Sequence, residues 1–409
     1  MSDPIDPVVQ HYRAYPYPAR QPGDEKKRLV LGSPSHMDEV IHYVFGGRLP
    51  ARRLRILVAG GGTGDGLVML AQQCSDREIS AEITYLDLSI ASREIAEARI
   101  KIRNLPTVTF VTGSLLDVQR LAPGPYDYID CCGVLHHLPN PAQGLAALSS
   151  VLAPDGGMGV MVYAPFGRSG VYPMQSALRR LASYNSLPEN ERVDIAKRLA
   201  SALPPSNLLR RNPLVRDHID GGDAGVYDLL LHAQDQAFTV DGLSQLITDA
   251  GYRITAFIDP ARYDPLHYIN DPRLRRHVTH LNFIGKAALS EELSSAMKVH
   301  IAYIAAKDQS AQLSGQAIPV ARDNIDLTKS IRPDGAVAAD FAGTALRYPL
   351  PRLAHPILGQ VDGQKSIDDI FAILQTTVDK NLTREIFDRQ LHDIFRAYHA
   401  LGQLHLRFA

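Results

Sequence analysis

Cysteine is scarce in this sequence of 409 residues, which contains only Cys74 and the adjacent pair Cys131 and Cys132. Three cysteines are too few for a disulfide framework, and their spacing does not match that of a zinc site. We therefore expect buried, reduced thiols and no bound metal.

The sequence also lacks a long apolar segment and a strong charge of either sign. It has no apolar run near 18 residues, and its first residues, MSDPIDPVVQ, lack the basic and apolar regions of a signal peptide. The 43 basic and 44 acidic residues almost cancel, so no overall field favours nucleic acid or an anionic membrane. We expect a cytoplasmic protein that does not bind a membrane.

Short apolar segments alternate with helical segments between residues 51 and 165. The helical segments, such as residues 89–103, are rich in alanine, isoleucine and charged residues. This alternation predicts an α/β fold with a doubly wound, mostly parallel Rossmann-like sheet. The predicted strands are residues 54–59, 83–87, 107–112, 126–131 and 159–164.

The remaining segments predict further domains, because one hydrophobic core seldom serves more than about 250–300 residues. Prolines interrupt helical pieces in residues 166–237, which we interpret as an inserted helical lid. Residues 238–290 resume the core, with a helix capped by Thr239 and strands at 253–258 and 281–287. The other predicted units are an N-terminal cap segment (1–50), the cofactor-binding core (51–165) and a small C-terminal α+β, winged-helix-like module (300–409).

A glycine-rich loop, GGGTGDG, follows the first predicted strand. The dinucleotide fingerprint G-x-G-x-x-G does not fit, because Asp65 and Leu67 stand where the third glycine is needed. The remaining pattern, Gly60, Gly62 and Gly64, suits a smaller adenosine ligand such as S-adenosylmethionine, with its anionic end near the helix N-terminus. The alternative is a purely structural glycine turn.

Polar groups follow the next strands where such a ligand would need them. Asp87 ends the second strand, and its carboxylate can accept hydrogen bonds from both ribose hydroxyls. Its alternative role is to cap the helix that follows. After the third strand, the backbone amide of Leu115 and the side chain of Ser114 or Asp117 are placed to contact an adenine edge.

The segments ILVAGGGTG, YLDLS, TFVTGSLLD, YDYIDCCGVLHHLPNP and LAPDGGMGVMVYA resemble class I S-adenosylmethionine-dependent methyltransferases over about residues 52–165. The resemblance implies methyl transfer from S-adenosylmethionine. It places Gly60, Gly62 and Gly64 under the methionine portion, Asp87 at the ribose, Ser114 and Leu115 at the adenine, and Gly133 and Val134 near the methyl group. We also assign Gly61, Asp65, Leu88 and Asp117, in the same loops, to cofactor binding.

One position departs from the family pattern. Many members carry an acidic residue two positions before the first glycine, and this sequence has Val58 there. The anchor for the amino group of the cofactor must then come from elsewhere. Asp65 or a backbone carbonyl is the expected substitute.

Several residues are candidates for the acceptor side of the site. His136 and His137 follow the fourth strand and are candidate general bases, with packing of the loop as the alternative. Tyr15 and Tyr17 lie in an N-terminal segment that either covers the cleft or docks on the back of the sheet. Asp228 and His232 open a lid-to-core segment similar to one in a bacterial methyltransferase subgroup, and we assign His232 to the substrate side.

Two functions fit the sequence. The first is a methyltransferase acting on an unidentified acceptor, for which we favour a small molecule or a protein over nucleic acid. The second is a non-catalytic regulatory protein that binds S-adenosylmethionine and acts through its C-terminal module. In both cases we expect that module to support a homodimer or to bind a partner.

Overall fold

The computed structural model describes residues 18–105, 108–181, 186–232 and 234–409. Its centre is a sheet of seven strands in the order β3-β2-β1-β4-β5-β7-β6. Strands β1 to β5 run parallel, and β7 pairs antiparallel with both β5 and β6. The strands are β1 (Leu54–Ala59), β2 (Ala81–Asp87), β3 (Val108–Thr112), β4 (Tyr126–Cys132), β5 (Leu152–Tyr163), β6 (Arg253–Ile258) and β7 (Val299–Ala305).

This topology confirms the predicted doubly wound, mostly parallel sheet. The strand order reverses between β1 and β4, and a ligand crevice is expected there, outside the carboxyl ends of the strands. The helices around the sheet are α1 (Met37–Tyr43), α2 (Asp65–Asp76), α3 (Ile90–Ile102), α4 (Val118–Leu121), α5 (Pro141–Ser149), α11 (Val240–Asp249), α12 (Pro272–Val278) and α13 (Phe283–Ser294).

Alternate residues of the inner strands divide the core between the two faces of the sheet. Leu57 and Ile129 pack on one face, and Ile56, Val58 and Tyr128 pack on the other. This division follows from the two-residue period of a strand. Helix α1 of the N-terminal segment covers the second face with Met37, Val40 and Ile41.

The prediction of a strand at residues 281–287 is wrong, because most of these residues are helical. The Asn282 side chain accepts a hydrogen bond from the Gly285 backbone N–H at 2.8 Å and begins helix α13 instead. Asparagine is a preferred cap because it satisfies an unpaired N–H in the first helical turn. The missing strand is β7, which extends the central sheet to residue 305, beyond the boundary that we drew near residue 290.

The segment between β5 and α11 is helical, as expected. Its helices pack around a small core of their own that includes Val171, Leu178 and Tyr227. Within residues 166–181, 186–232 and 234–237 the structure contains no strand. The helices are α6 (Val171–Arg180), α7 (Glu189–Ala202), α8 (Leu208–Arg211), α9 (Asp217–Asp220) and α10 (Gly222–Leu230).

The C-terminal region has two small antiparallel sheets and three helices. Ser366 and Asp369 form a capping box, and a long amphipathic helix and a short strand follow. The region packs on the N-terminal segment, where the Leu406 N–H donates to His42 Nδ1 at 3.0 Å. Its elements are β8 (Ile318–Ala321), β9 (Ala336–Phe341), β10 (Thr344–Pro349), α14 (Ala354–Leu358), α15 (Ile367–Thr377), α16 (Arg384–Ala400) and β11 (Leu404–Arg407), with β9 paired to β10 and β8 to β11.

None of the helices in the described residues is long and apolar enough to cross a membrane.

Candidate functional site

A cavity of about 440 Å³ opens at the carboxyl ends of β1, β2 and β4, at the reversal point of the sheet. Its size lies within the usual range for small-molecule sites. Most predicted cofactor residues line it, namely Gly60, Gly61, Gly62, Asp65, Asp87, Leu88, Ser114, Leu115, Gly133 and Val134. Gly64 and Asp117 do not belong to the described lining.

The glycine loop brings its backbone close to neighbouring side chains. Gly60 has a φ of +69°, and a Cβ there would lie 2.3 Å from Val134 Cγ2. A Cβ on Gly64, which has a φ of +98°, would lie 2.9 Å from the Cβ of Ala96. Gly60 therefore keeps the cradle open beside β4, whereas Gly64 allows α2 to pack against α3.

Asp87 accepts one backbone hydrogen bond from the glycine loop and one from the residue that caps the following helix. Its Oδ2 accepts from the Gly62 N–H at 2.8 Å, and its Oδ1 accepts from the Ser89 N–H at 2.7 Å. Helix α3 is capped by the Ser89 side chain, which accepts from the Ser92 N–H at 3.2 Å. Because each carboxylate oxygen has a second lone pair, Asp87 can also accept hydrogen bonds from a ligand.

Asp65 is held by two arginines. Arg20 donates to its Oδ2 at 2.6 Å, and the buried Arg99 donates to its Oδ1 at 2.7 Å. Burial opposes ionisation of Asp65, but the hydrogen bonds from Arg20 and Arg99 outweigh burial and lower its pKa. Asp65 therefore joins the loop to the N-terminal segment, and its charge is already balanced.

The N-terminal segment reaches the cavity from one side. The Thr63 hydroxyl donates to the Pro18 carbonyl at 2.9 Å, and Pro18 lines the cavity. The described part of this segment therefore lies beside the glycine loop, while α1 covers the sheet. Tyr15 and Tyr17 lie outside the described residues.

Asp130 is a carboxylate in the cavity lining that the sequence analysis missed. It lies on β4 in register with Val58 and accepts a hydrogen bond from the Ser35 hydroxyl at 2.5 Å. Burial raises its pKa to about 6, although the Ser35 hydrogen bond acts in the opposite direction. The strand YDYIDCC carries two aspartates, Asp127 and Asp130, and its sequence pattern does not show which of them faces the cavity.

Two of the three predicted adenine contacts line the cavity, and the third does not. Ser114 and Leu115 line the cavity, and the Ser114 hydroxyl also accepts from the Leu116 N–H at 3.2 Å. Asp117 instead forms an exposed ion pair with Arg120 at 3.4 Å.

The two candidate histidines occupy different environments. His137 lines the cavity, and its Nδ1 lies 2.9 Å from the Gln234 carbonyl oxygen, to which it donates. His136 is fully buried, lies outside the described lining and stacks on Tyr163 at 3.9 Å. Burial lowers the pKa of both histidines, and that of His136 falls well below its usual range.

His232 lies behind His137 and does not belong to the described cavity lining. The two rings stack with their centroids 3.8 Å apart. The His232 Nδ1 accepts from the Gln234 N–H at 3.1 Å. His232 therefore contacts the ring of His137 and the loop that holds it.

The lid adds a further titratable group to the cavity. Asp228 of α10 lines it, and the Tyr163 hydroxyl of β5 donates to Asp228 Oδ2 at 3.5 Å. Burial raises the pKa of Asp228 to about 7, partly offset by the charge of Arg168. Arg168 stacks 3.6 Å from the Tyr163 ring and forms an ion pair with Asp235 at 3.1 Å. The end of the cavity beside the lid is thus lined by His137, Tyr163 and Asp228.

Comparisons with known proteins agree with this architecture. A family model described as a methyltransferase domain matches residues 57–158. An uncharacterized protein from Synechococcus sp. is 35% identical over 274 residues, which are 65% of this chain and 63% of that protein. The chain thus spans less than two thirds of that relative.

Solved structures share the fold of most of the chain. PKMT2 from Rickettsia typhi superposes with a TM-score of 0.61 at 14% identity, covering 89% of this chain and 73% of that one. The same protein in complex with AdoHcy gives a TM-score of 0.60 at 15% identity, with 90% and 74% coverage. The family model thus identifies residues 57–158 as a methyltransferase domain, and the solved structures show that the chain around it shares the fold of PKMT2.

Proposed function

We propose that this protein transfers a methyl group from S-adenosylmethionine to a nucleophile held at the lid side of the cavity. The observation that carries the proposal is the cavity itself, in which a glycine cradle and Asp87 meet at the carboxyl ends of β1 and β2. The fold shared with PKMT2, which has been solved with AdoHcy, supports this choice of cofactor.

The cradle fits an extended adenosine ligand. Its glycines have no Cβ to occupy the cradle. A Cβ on Gly60 would lie 2.3 Å from a neighbouring side chain, and a Cβ on Gly61 would lie 2.4 Å from one. Asp87 is placed to accept hydrogen bonds from the ribose hydroxyls. In this arrangement Ser114 and Leu115 contact the adenine, and Gly133 and Val134 lie beneath the reacting end.

When bound, the cofactor supplies a methyl group already activated by its sulfonium. The residues of this chain then need to orient the acceptor and exclude water. Holding reactants in line contributes on the order of 7–11 kcal/mol to such reactions. His137, Tyr163 and Asp228 are the groups that we assign to this task, because they line the cavity where β4, β5 and the lid meet.

A general base is needed only if the acceptor must lose a proton. Of the two histidines, His137 is our candidate, because it lines the cavity while His136 is buried behind it. The carbonyl of Gln234 orients the His137 ring by accepting from Nδ1, so Nε2 is the nitrogen that would accept a proton.

Two measurements test the proposed function. In calorimetry, S-adenosylmethionine should bind the purified protein and NAD should bind much more weakly. A tritiated methyl-transfer assay on a lysate from a strain lacking the protein, fractionated into protein, RNA and small molecules, should label one fraction. NAD affinity equal to that for the methyl donor would overturn the assignment, and binding without transfer would favour a regulatory protein.

A further inference from the structure

We propose that Asp130 on β4 supplies the carboxylate that binds the α-ammonium group of the methionine portion of the cofactor, in place of an acidic residue on β1. This inference rests on the proposed function. It names a cofactor-binding residue that the sequence motifs do not indicate.

The need for such a residue arises on β1. Val58 occupies the position that is acidic in many members of the family, and its apolar side chain cannot bind an ammonium group. Val58 is 3% exposed and lines the cavity next to the glycine loop. An ammonium group bound beside Val58 therefore needs a carboxylate from another strand or helix.

The strand register supplies that anion. Val58 pairs directly with Asp130 across the parallel β1 and β4. Side chains of paired residues point to the same face of a sheet, and adjacent strands are about 4.8 Å apart. Asp130 therefore places its carboxylate one strand away from the expected position, in the lining of the same cavity.

The other carboxylates in the described lining are committed to different contacts. Asp65 is balanced by Arg20 and Arg99, and Asp87 accepts from two backbone amides at the end of β2. Asp228 lies on the lid and accepts from the Tyr163 hydroxyl. Among the described residues, Asp130 has no cationic partner and accepts a hydrogen bond only from the neutral Ser35 hydroxyl.

Gly66 lets the side chains of Ser35 and Asp130 lie close to the start of α2 at the cavity wall. Gly66, the second residue of α2, lines the cavity, and a Cβ there would lie 2.8 Å from Ser35 Oγ and 3.3 Å from Asp130 Oδ2. A buried carboxylate without a cation is costly. A bound ammonium group would remove that cost and favour the ionised form, which burial alone disfavours.

The test compares two ligands in the wild type and the Asp130→Asn variant. S-adenosylhomocysteine carries the amino acid portion, and 5′-methylthioadenosine lacks it. We expect Asp130→Asn to weaken S-adenosylhomocysteine binding by at least about tenfold in calorimetry. Binding of 5′-methylthioadenosine should stay within about twofold, which also shows that the variant is folded.

Asp65→Asn is the matched control, because Asp65 was the carboxylate expected from the sequence to bind the amino group. It should not change the ratio of the two affinities. The role of Asp130 would be overturned if Asp130→Asn weakened the binding of both ligands equally or of neither. It would also be overturned if only Asp65→Asn changed the ratio of the two affinities. Failure of the wild type to bind either ligand would instead overturn the proposed function.

Discussion

Asp87 accepts a hydrogen bond from the Gly62 N–H of the glycine loop, and we propose that it also binds the ribose of the cofactor. We predict that Asp87→Ala weakens S-adenosylmethionine binding by at least about tenfold, because it removes charge-assisted hydrogen bonds of about 1.5–3 kcal/mol each. Asp117→Ala is the control, because Asp117 pairs with Arg120 at the surface outside the cavity lining. Unchanged calorimetric affinity for Asp87→Ala would remove Asp87 from the site.

The two adjacent histidines should respond differently to substitution. If His137 is the base, His137→Ala should keep cofactor affinity while the rate of methyl transfer falls by roughly 10²–10⁴. His136→Ala should instead lower the unfolding temperature, because His136 is buried against Tyr163. A rate loss confined to His136→Ala, with normal stability, would reverse this assignment.

Asp130 should make the stability of the ligand-free protein depend on pH. Burial raises its pKa to about 6 in the folded state, so the folded protein favours the protonated carboxyl. The contribution of Asp130 to stability is therefore fully present below the ordinary aspartate pKa and is lost as the pH rises through about 6.

Asp130→Asn removes this titration. We predict that the stability of the variant relative to the wild type rises by on the order of 2 kcal/mol from about pH 4.5 to about pH 7.5. Denaturant unfolding of both ligand-free proteins at the two pH values measures this difference. A stability difference that does not change with pH would contradict it.

At the scale of elements, the lid is joined to the sheet by polar contacts beside the cavity. Arg168 pairs with Asp235, and Tyr163 donates to Asp228. These contacts support our proposal that the acceptor is held at the lid side of the cavity, since lids commonly exclude water from a reaction.

Helix α10 offers a matched pair of substitutions that tests this role of the lid. Asp228→Asn should keep cofactor affinity and lower kcat/KM by at least about tenfold, because it removes a titratable group from the cavity. Asp223→Asn, on the same helix, should leave kcat/KM unchanged, because Asp223 forms an exposed ion pair with Lys197. Equal kcat/KM values for the two variants would argue against a lid carboxylate at the acceptor.

Most elements were predictable because their signals are local. Strands β1 and β6 have the predicted bounds, and Thr239 caps α11 as expected, accepting from the Gly242 N–H at 3.1 Å. The failures lie at residues 281–287 and in β7. In each of these two segments, a short apolar run fits a helix and a strand equally well. Pairing with distant strands then decides which of the two forms.

At the scale of the whole molecule, β7 ties the C-terminal part of the core to the sheet. It lies between β5 and β6 and pairs with both. We predict that a chain ending at residue 289 does not fold, because β6 would lose its only described neighbour in the sheet. A cooperative thermal transition of that chain in circular dichroism would contradict this prediction.

The C-terminal module packs on the N-terminal segment of the same chain. The Phe408 N–H donates to the Gly47 carbonyl at 2.7 Å, and His42 accepts from the Leu406 N–H. Part of the module surface is therefore already covered within the chain. Its role in a homodimer or in binding a partner stays a prediction, as do the roles of Tyr15 and Tyr17.

The sequence alone determined the Rossmann-like sheet, the glycine loop and the placing of Asp87, because each depends on strand periodicity or on spacing within one turn. The tertiary structure decided which polar groups share the cavity. The partners of Asp65, the separate environments of His136 and His137, and the position of Asp130 beside Val58 all depend on contacts between distant segments. Strand register and helix packing fix such contacts, and no local pattern in the chain encodes them.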